Sequence, residues 1–577
     1  MTTPSFDAES LERRSARPQL SFRGSCIIAF LVPILLLLPF VNKPFHADDH
    51  VFVWVAQQIA KDPLDFFGFD VDYGYAKVPI HEVNHNPPGV PYFLALLGAA
   101  GGWNEVPLHL GMLLFTGLAG LGIYLLARDL SPAPLPATFM AVLTPVFLVS
   151  ASSLMTDVPL LACYVWSIYL WRRGLDADKG WYLAGAALLM GAAYLCKYYG
   201  VTLLPLLFTY SVLRKRSLGR WPLYFLIPAA CIAGYEAITY VSYGITTFSD
   251  AAGVALASKW RSEETGATRW VLALVFAGGS FLPLVLYLRP LAAWRWLAAG
   301  AGVAALLALP LIEGFSPLQL LLGTTEPYTW PELLMFALLL FIGAAILAVS
   351  ARELLRQRDA DAALLALWIF GSVLFAAAIN HYVSARTLLP IAPAIGIVLT
   401  RGLPVDTRCA MPNPWFRWRS FAAAALCLWI AAGDYEAAEH GKRAVREAAA
   451  LARDEAAPLY HVAFWGFEYY VTEAGSTPFS FEPTENYGDA IIAQMPRGAL
   501  LVVHSHGAET WKSPPGGFED VARFSYPFHT RLITFHAVSD AGFYSHKIGY
   551  LPFRIGSQGP EEFLVLRWAE PPRGQEF

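Results

Sequence analysis

The stretch CIIAFLVPILLLLPFVNKPFHADDHVF, residues 26–52, decides how the chain is read. Its first part is an apolar run long enough to cross the ~30 Å hydrocarbon core of a bilayer. Its second part sets Asp48 and Asp49 side by side just after that run ends. Arg13, Arg14, Arg17 and Arg23 precede the run, which ends in Asn-Lys-Pro with no small-residue cleavage site. A retained first span is expected, not a signal peptide.

The rest of the chain has the same character. Over 577 residues it is 56% hydrophobic and 15% charged, with a mean hydropathy of +0.45, which excludes an ordinary soluble enzyme. The net charge of −4 says little about partners, and no basic run interleaved with aromatics points to nucleic acid. Apolar runs between charged breaks predict spans near 25–42, 106–127, 134–150, 157–172, 181–196, 200–213, 221–240, 269–288, 294–312, 331–350, 362–379, 386–401 and 420–433, about thirteen in all. Short loops rich in Lys and Arg stay cytoplasmic. The loops around Arg172–Lys179, Arg214–Arg220, Arg352–Arg358 and Arg401–Arg419 therefore share a side with the basic tail 1–24. The loops 43–105, 241–268, 313–330 and 380–386 fall on the other side.

From Asp434 the character changes. DYEAAEHGKRAVREAAALARDEAA reads as a polar helix, and PLYHVAFWGF, ALLVVHSH, TRLITFHAV and EEFLVLRW read as short strands between turns. The expected organisation is a cytoplasmic tail (1–24), an all-α polytopic membrane domain (25–433) and a small extracytoplasmic α/β domain (434–577). None of the six cysteines lies in that last domain, so it carries no internal disulfide.

Several polar residues gather at the non-cytoplasmic boundary. DDHVFVWVAQQIAKDP has Val51, Phe52, Val55 and Ile59 at helical spacing, suited to an amphipathic helix in the membrane interface. Asp48 and Asp49 are either caps of that helix or active-site acids. HEVNHNPPGVPYF, residues 81–93, is a proline-stiffened turn that brings His85 and Asn86 to the same face. Asp157 begins a span, again as a cap or a functional acid. Lys197 is a cation on the side where the charge rule disfavours one, and snorkelling is its ordinary explanation. His381, Tyr382 and Arg386 share a short loop on the same side. Acids and cations collected there suit one kind of chemistry, in which a base serves an incoming hydroxyl and positive charge serves a phosphate leaving group.

These motifs, in this order, resemble something known. ADDHVFVWVAQQI, NHNPPGVPYFLALLGA, TPVFLVSASSLMTDVPLLACYVWSIYLW, YLCKYYGVTLLP and ARTLLPIAP are similar to the GT-C superfamily of membrane glycosyltransferases. The likeness is to the branch of protein O-mannosyltransferases and the lipid A aminoarabinose transferase, over roughly residues 25 to 400. It implies a polyprenyl-phosphate sugar donor, a lipid, glycan or protein acceptor, and transfer, inverting at the sugar, on the outer face of the inner membrane. It places the catalytic acids on Asp48, Asp49 and Asp157, with Asp48 matching the catalytic carboxylate. The donor phosphate falls to Lys197, Arg386, His85, Asn86 and Tyr382. The second acid of the pair is often Glu in this family and is Asp49 here; the usual Arg-Tyr is Arg386–Thr387. A divalent ion is compatible with these acids but not required by the sequence.

Other features point elsewhere. GLAGLG, with Gly117, Gly120 and Gly122, lies inside an apolar span and is expected to serve close helix packing, not dinucleotide binding. His504 and His506 have a spacing able to bind metal but no third ligand nearby. The aromatic segments FWGFEYYV and GFYSHKIGYLPF can stack on sugar rings, although burial in a domain core is the commoner role. The alternative function is a transporter or flippase for lipid-linked sugars. A carrier concentrates ionisable residues in mid-span, whereas these sit at span ends.

Overall fold

The computed structural model describes residues 20–73, 76–251, 253, 266–288, 330–401, 414–479, 494–504, 517–536, 541–556 and 559–569. It is mostly helical, with a small mixed sheet near the C-terminal end. Among the described residues six helices are long and apolar enough to cross a membrane: Phe22–Phe40, Glu105–Leu130, Trp221–Tyr243, Pro331–Gln357, Ala360–Ile379 and Phe416–Asp454. A seventh crossing arises if Pro134–Val142 and Pro145–Ala151, bent by 65°, count as one.

Thirteen straight spans are thus not confirmed among the described residues. The run 157–172 forms the helix Asp157–Ala177, charged at both ends. The run 181–196 forms Gly180–Cys196, and 200–213 becomes a 3-10 turn followed by Leu203–Lys215. A helix of 13 residues is about 20 Å long, short of the hydrocarbon core. The run 386–401 likewise opens as a 3-10 turn, because Pro390 removes a backbone donor, and only then becomes helical at Ala392–Arg401. The candidate 294–312 lies outside the described residues.

Two further expectations change. The helix Asp49–Lys61 does not lie free in an interface: His50, Val51, Phe52, Val53, Val55, Ala56 and Ile59 are all buried, and it packs on Gly89–Gly101 and Trp465–Glu473. The boundary expected at residue 434 falls inside one continuous helix, Pro414–Asp454. Alanine-rich sequence keeps both its apolar and its polar half helical.

Charge gathers at opposite ends of the helices. Arg172 pairs with Asp129 at 3.1 Å, Asp361 at 3.4 Å and Asp176 at 3.5 Å, and Arg214 joins through Asp176 at 2.9 Å. This network draws on the loops expected in the cytoplasm. Along the helix it lies about 22 Å from Asp157, the rise from residue 157 to 172. Gly120 lets the helix Glu105–Leu130 lie close against the first span: a Cβ there would stand 2.2 Å from the Ala29 carbonyl oxygen. The glycines of GLAGLG therefore serve packing.

The C-terminal sheet runs in the order Thr477–Pro478, Leu459–Val462, Leu500–His504, Glu561–Trp568, Phe518–Tyr526. Its first three strands are parallel, and Glu561–Trp568 is antiparallel to both neighbours. The strand expected through FWGF stops at Val462, and Trp465–Glu473 is a helix. Among the described residues of TRLITFHAV, Leu532–Ile533 and Phe535–His536 form two-residue strands.

Candidate active site

Asp48 stands at the N-cap position of Asp49–Lys61 but makes no capping hydrogen bond. Ala47 before it has φ 48°, a left-handed conformation that alanine seldom adopts. This turn carries the Asp48 carboxylate away from the helix end and toward Arg386, whose Nη2 lies 3.3 Å from Asp48 Oδ2. Strain in such a place is commonly held by the surrounding fold at functional sites. Here Ala47 is buried and its carbonyl oxygen lies 3.0 Å from His50 Nδ1.

Arg386 extends the chain of charge. Its Nη1 lies 3.5 Å from Asp157 Oδ2, and Lys197 Nζ donates to Asp157 Oδ1 at 2.7 Å. Asp157 does not cap its helix, and Lys197 does not snorkel: each is engaged with the other. Tyr382 lies beside Arg386, Asp48 and Asp157, and burial pushes its hydroxyl pKa up to about 12. Four segments distant in sequence therefore converge, bringing two acids, two cations and a phenol together. The exposures differ in a way that matters. The Asp48 side chain is 37% exposed and that of Lys197 23%, against 7% for Arg386 and 3% for Asp157.

Asp49 has a different place. It is fully buried, its Oδ2 accepts from the His46 backbone N–H at 3.1 Å, and its Oδ1 accepts from the Leu154 backbone N–H at 2.8 Å. It thus ties the turn carrying Asp48 to the segment that leads into Asp157. Burial pushes its pKa up to about 7, against the pull of Lys43. The folded protein then holds a proton that the unfolded chain has released, so this contribution to stability is full below about pH 4 and falls as pH rises to about 7. Replacing Asp49 by Asn should flatten that part of the profile. Melting temperatures of both proteins between about pH 5 and pH 8 would show the wild type losing ground to the variant, and parallel curves would refute it.

His85 and Asn86 sit at the margin. His85 lies near His381, His81 and Asp250, and the Asn86 backbone N–H donates to Asn84 Oδ1 at 3.1 Å. Among the described residues neither gives a hydrogen bond or ion pair to the Asp48–Arg386–Asp157–Lys197 chain. Their turn is nonetheless held against it. A Cβ on Gly89 would stand 2.6 Å from the Leu195 carbonyl oxygen, two residues before Lys197, so only glycine permits that approach.

Several residues join the site without a clear signal in the sequence. Arg269 is buried and donates to the carbonyl oxygens of Ala377 at 2.9 Å and His381 at 3.1 Å, fixing the loop before Arg386. Lys43 Nζ donates to Asp434 Oδ2 at 2.5 Å, with both side chains fully buried. Tyr544 donates to the same oxygen at 2.8 Å and Thr534 to Asp434 Oδ1 at 2.6 Å. Among the described residues no group of three or more His, Cys, Asp or Glu converges as a metal site; His506 lies outside them. Most aromatics of FWGFEYYV and GFYSHKIGYLPF, including Phe467, Tyr469, Phe543 and Phe553, are buried as core.

This geometry can be set beside known proteins. Residues 85–235 match the family of dolichyl-phosphate-mannose-protein mannosyltransferases. Among solved structures, ArnT from Cupriavidus metallidurans bound to undecaprenyl phosphate is 14% identical, over 87% of this chain and 97% of that one, with a TM-score of 0.45. The archaeal oligosaccharyltransferase AglB from Archaeoglobus fulgidus, in complex with an inhibitory peptide and a dolichol-phosphate, is 13% identical over 83% of this chain and 69% of that one, with a TM-score of 0.47. No curated protein matches the chain in sequence. The family match lies within the residues whose motifs resemble the GT-C mannosyltransferase branch.

Proposed function

We propose that this chain is a multi-pass membrane glycosyltransferase of GT-C type, which moves a sugar from a polyprenyl-phosphate donor to an acceptor outside the cytoplasm. The observation that carries the reading is the pairing of Asp48 with Arg386 at 3.3 Å, beside Asp157 and Lys197. Of the two acids that face Arg386, Asp48 is the one that reaches solvent. It takes the proton from the acceptor hydroxyl or amine as the acceptor attacks the anomeric carbon. The phosphate leaves from the opposite face with the bonding electrons, so it needs positive charge more than a proton. Arg386 offers a planar fork for two phosphate oxygens and Lys197 a point charge. Asp157 holds both cations in place, and Tyr382 walls the site.

The family match over residues 85–235 supports this chemistry, since the matched segment contains His85, Asn86, Asp157 and Lys197. The same reading takes Asp157–Ala177, Gly180–Cys196 and the 3-10 turn joined to Leu203–Lys215 as further crossings, the last reaching about 30 Å only with its turn included. It puts the N-terminus in the cytoplasm and the residues after 454 outside. Native mass spectrometry of the purified protein is expected to find co-purified polyprenyl phosphate. Arg386→Ala and Lys197→Ala are each expected to weaken its binding about 10- to 100-fold, the worth of a hydrogen bond to a charged group. Acceptor affinity should change little. Unchanged lipid-phosphate affinity in both folded variants would refute the assignment.

A further inference from the structure

The segment 541–547 belongs by sequence to the C-terminal region, yet it is fastened to the loop that leads into Arg386. The Ala385 N–H donates to the Phe543 carbonyl oxygen at 3.0 Å, and the His546 N–H donates to the Val383 carbonyl oxygen at 2.8 Å. The Val383 N–H in turn donates to His546 Nδ1 at 2.8 Å. Between these anchors stands Tyr544, which is 3% exposed. Its ring lies beneath the Arg386 guanidinium, with Cζ 5.1 Å from the ring centroid. Its hydroxyl is bonded to Asp434, which Lys43 and Thr534 also hold. The ring is therefore fixed at its far end and offers its face to the cation.

Arg386 needs such a support. Its Nη1 faces Asp157 and also meets Met155 Sδ, its Nη2 faces Asp48, and the Tyr382 hydroxyl lies against the guanidinium. Its Nε is buried with no hydrogen-bond partner among the described residues. An arriving phosphate competes with both carboxylates for the same N–H groups. While those contacts exchange, nothing in the two acids fixes the plane of the guanidinium. The negative face of an aromatic ring attracts a guanidinium stacked on it without consuming its donors.

We propose that Tyr544 is a positioning residue for Arg386, holding the guanidinium plane for the donor phosphate through its ring face. The C-terminal segment is then part of the donor site. This rests on the reading of Arg386 as a phosphate ligand. The experiment uses the full-length purified protein, a polyprenyl-phosphate sugar donor and steady-state transfer. Tyr544→Leu should raise the donor KM about tenfold, the range of a desolvated cation–π contact, and change the acceptor KM less than about twofold. Tyr544→Phe keeps the ring and should stay within about threefold of wild type. Progressive fluorination of a phenylalanine introduced at 544 keeps shape while weakening the ring face, so donor KM should climb with each fluorine. This series decides the matter even where Tyr544→Leu does not fold. A flat series, or equal changes in donor and acceptor KM, would overturn the proposal. Arg386→Ala run in parallel separates the two ideas. If it binds lipid phosphate like wild type, the phosphate reading fails. If it weakens binding while the fluorinated series stays flat, only the role of Tyr544 fails.

Discussion

Asp48→Asn is expected to lower sugar transfer by about 10²- to 10⁴-fold, the contribution of a positioned general base. Asn has the same shape, and its amide oxygen can still accept from Arg386 Nη2, but it takes no proton from an acceptor. The fold should survive. The Asp48 side chain is 37% exposed and Arg386 keeps the buried Asp157 as a partner, so the change leaves no buried charge uncompensated. Lipid-phosphate binding should be unchanged or tighter, because a negative charge beside the phosphate is removed. The pairing of lost turnover with kept binding distinguishes a base from a ligand. Asp157→Asn should behave differently. That acid is 3% exposed and holds both Lys197 and Arg386, so donor binding should suffer along with turnover. A folded Asp48→Asn protein that transferred sugar at the wild-type rate would sink the assignment.

Hydropathy with the charge rule put Asp48, Asp157, Lys197, Tyr382 and Arg386 on one side of the membrane, and these five meet in space. That these residues share one end of the helices was legible because it depends on local composition. Which residue pairs with which was not, because Arg386 and Asp48 are 338 positions apart. Lys43 carried the same signal as Lys197, a cation on the disfavoured side. It stands in Asn-Lys-Pro at a span end, however, where a lysine ordinarily reaches for water. Asp434 looked like the first residue of a polar helix, and only the continuity of Pro414–Asp454 puts it in the core. Tyr544 was one aromatic in a segment full of them. Phe518–Tyr526 gives no clear strand signal because it lies at the sheet edge, where exposed Glu519, Asp520 and Arg523 blur the alternation.

The largest loss of stability is expected from Lys43→Met. Lys43 and Asp434 are both fully buried, 2.5 Å apart, and they join the end of the first span to the helix that enters the C-terminal region. Removing one partner of a buried pair leaves the other charge without compensation, at a cost of about 3–5 kcal/mol. A well-packed neutral replacement of both partners costs far less, since the pair itself had to be desolvated. Asn suits the second position better than Leu, because its amide oxygen still accepts from one of the Tyr544 and Thr534 hydroxyls and its N–H can donate to the other, whereas an orphaned buried donor costs about 1–3 kcal/mol. Lys43→Met combined with Asp434→Asn should therefore melt well above Lys43→Met alone, recovering more than half of the lost stability. Thermal unfolding of wild type, both single variants and the double variant in one detergent measures the cycle. A Lys43→Met protein that melts like wild type would mean that water reaches Asp434. A double variant no better than the worse single variant would mean that the ion pair itself carries the stability. The geometry favours neither outcome, because with both side chains at 0% exposure the penalty for an unpaired charge exceeds the net worth of the pair.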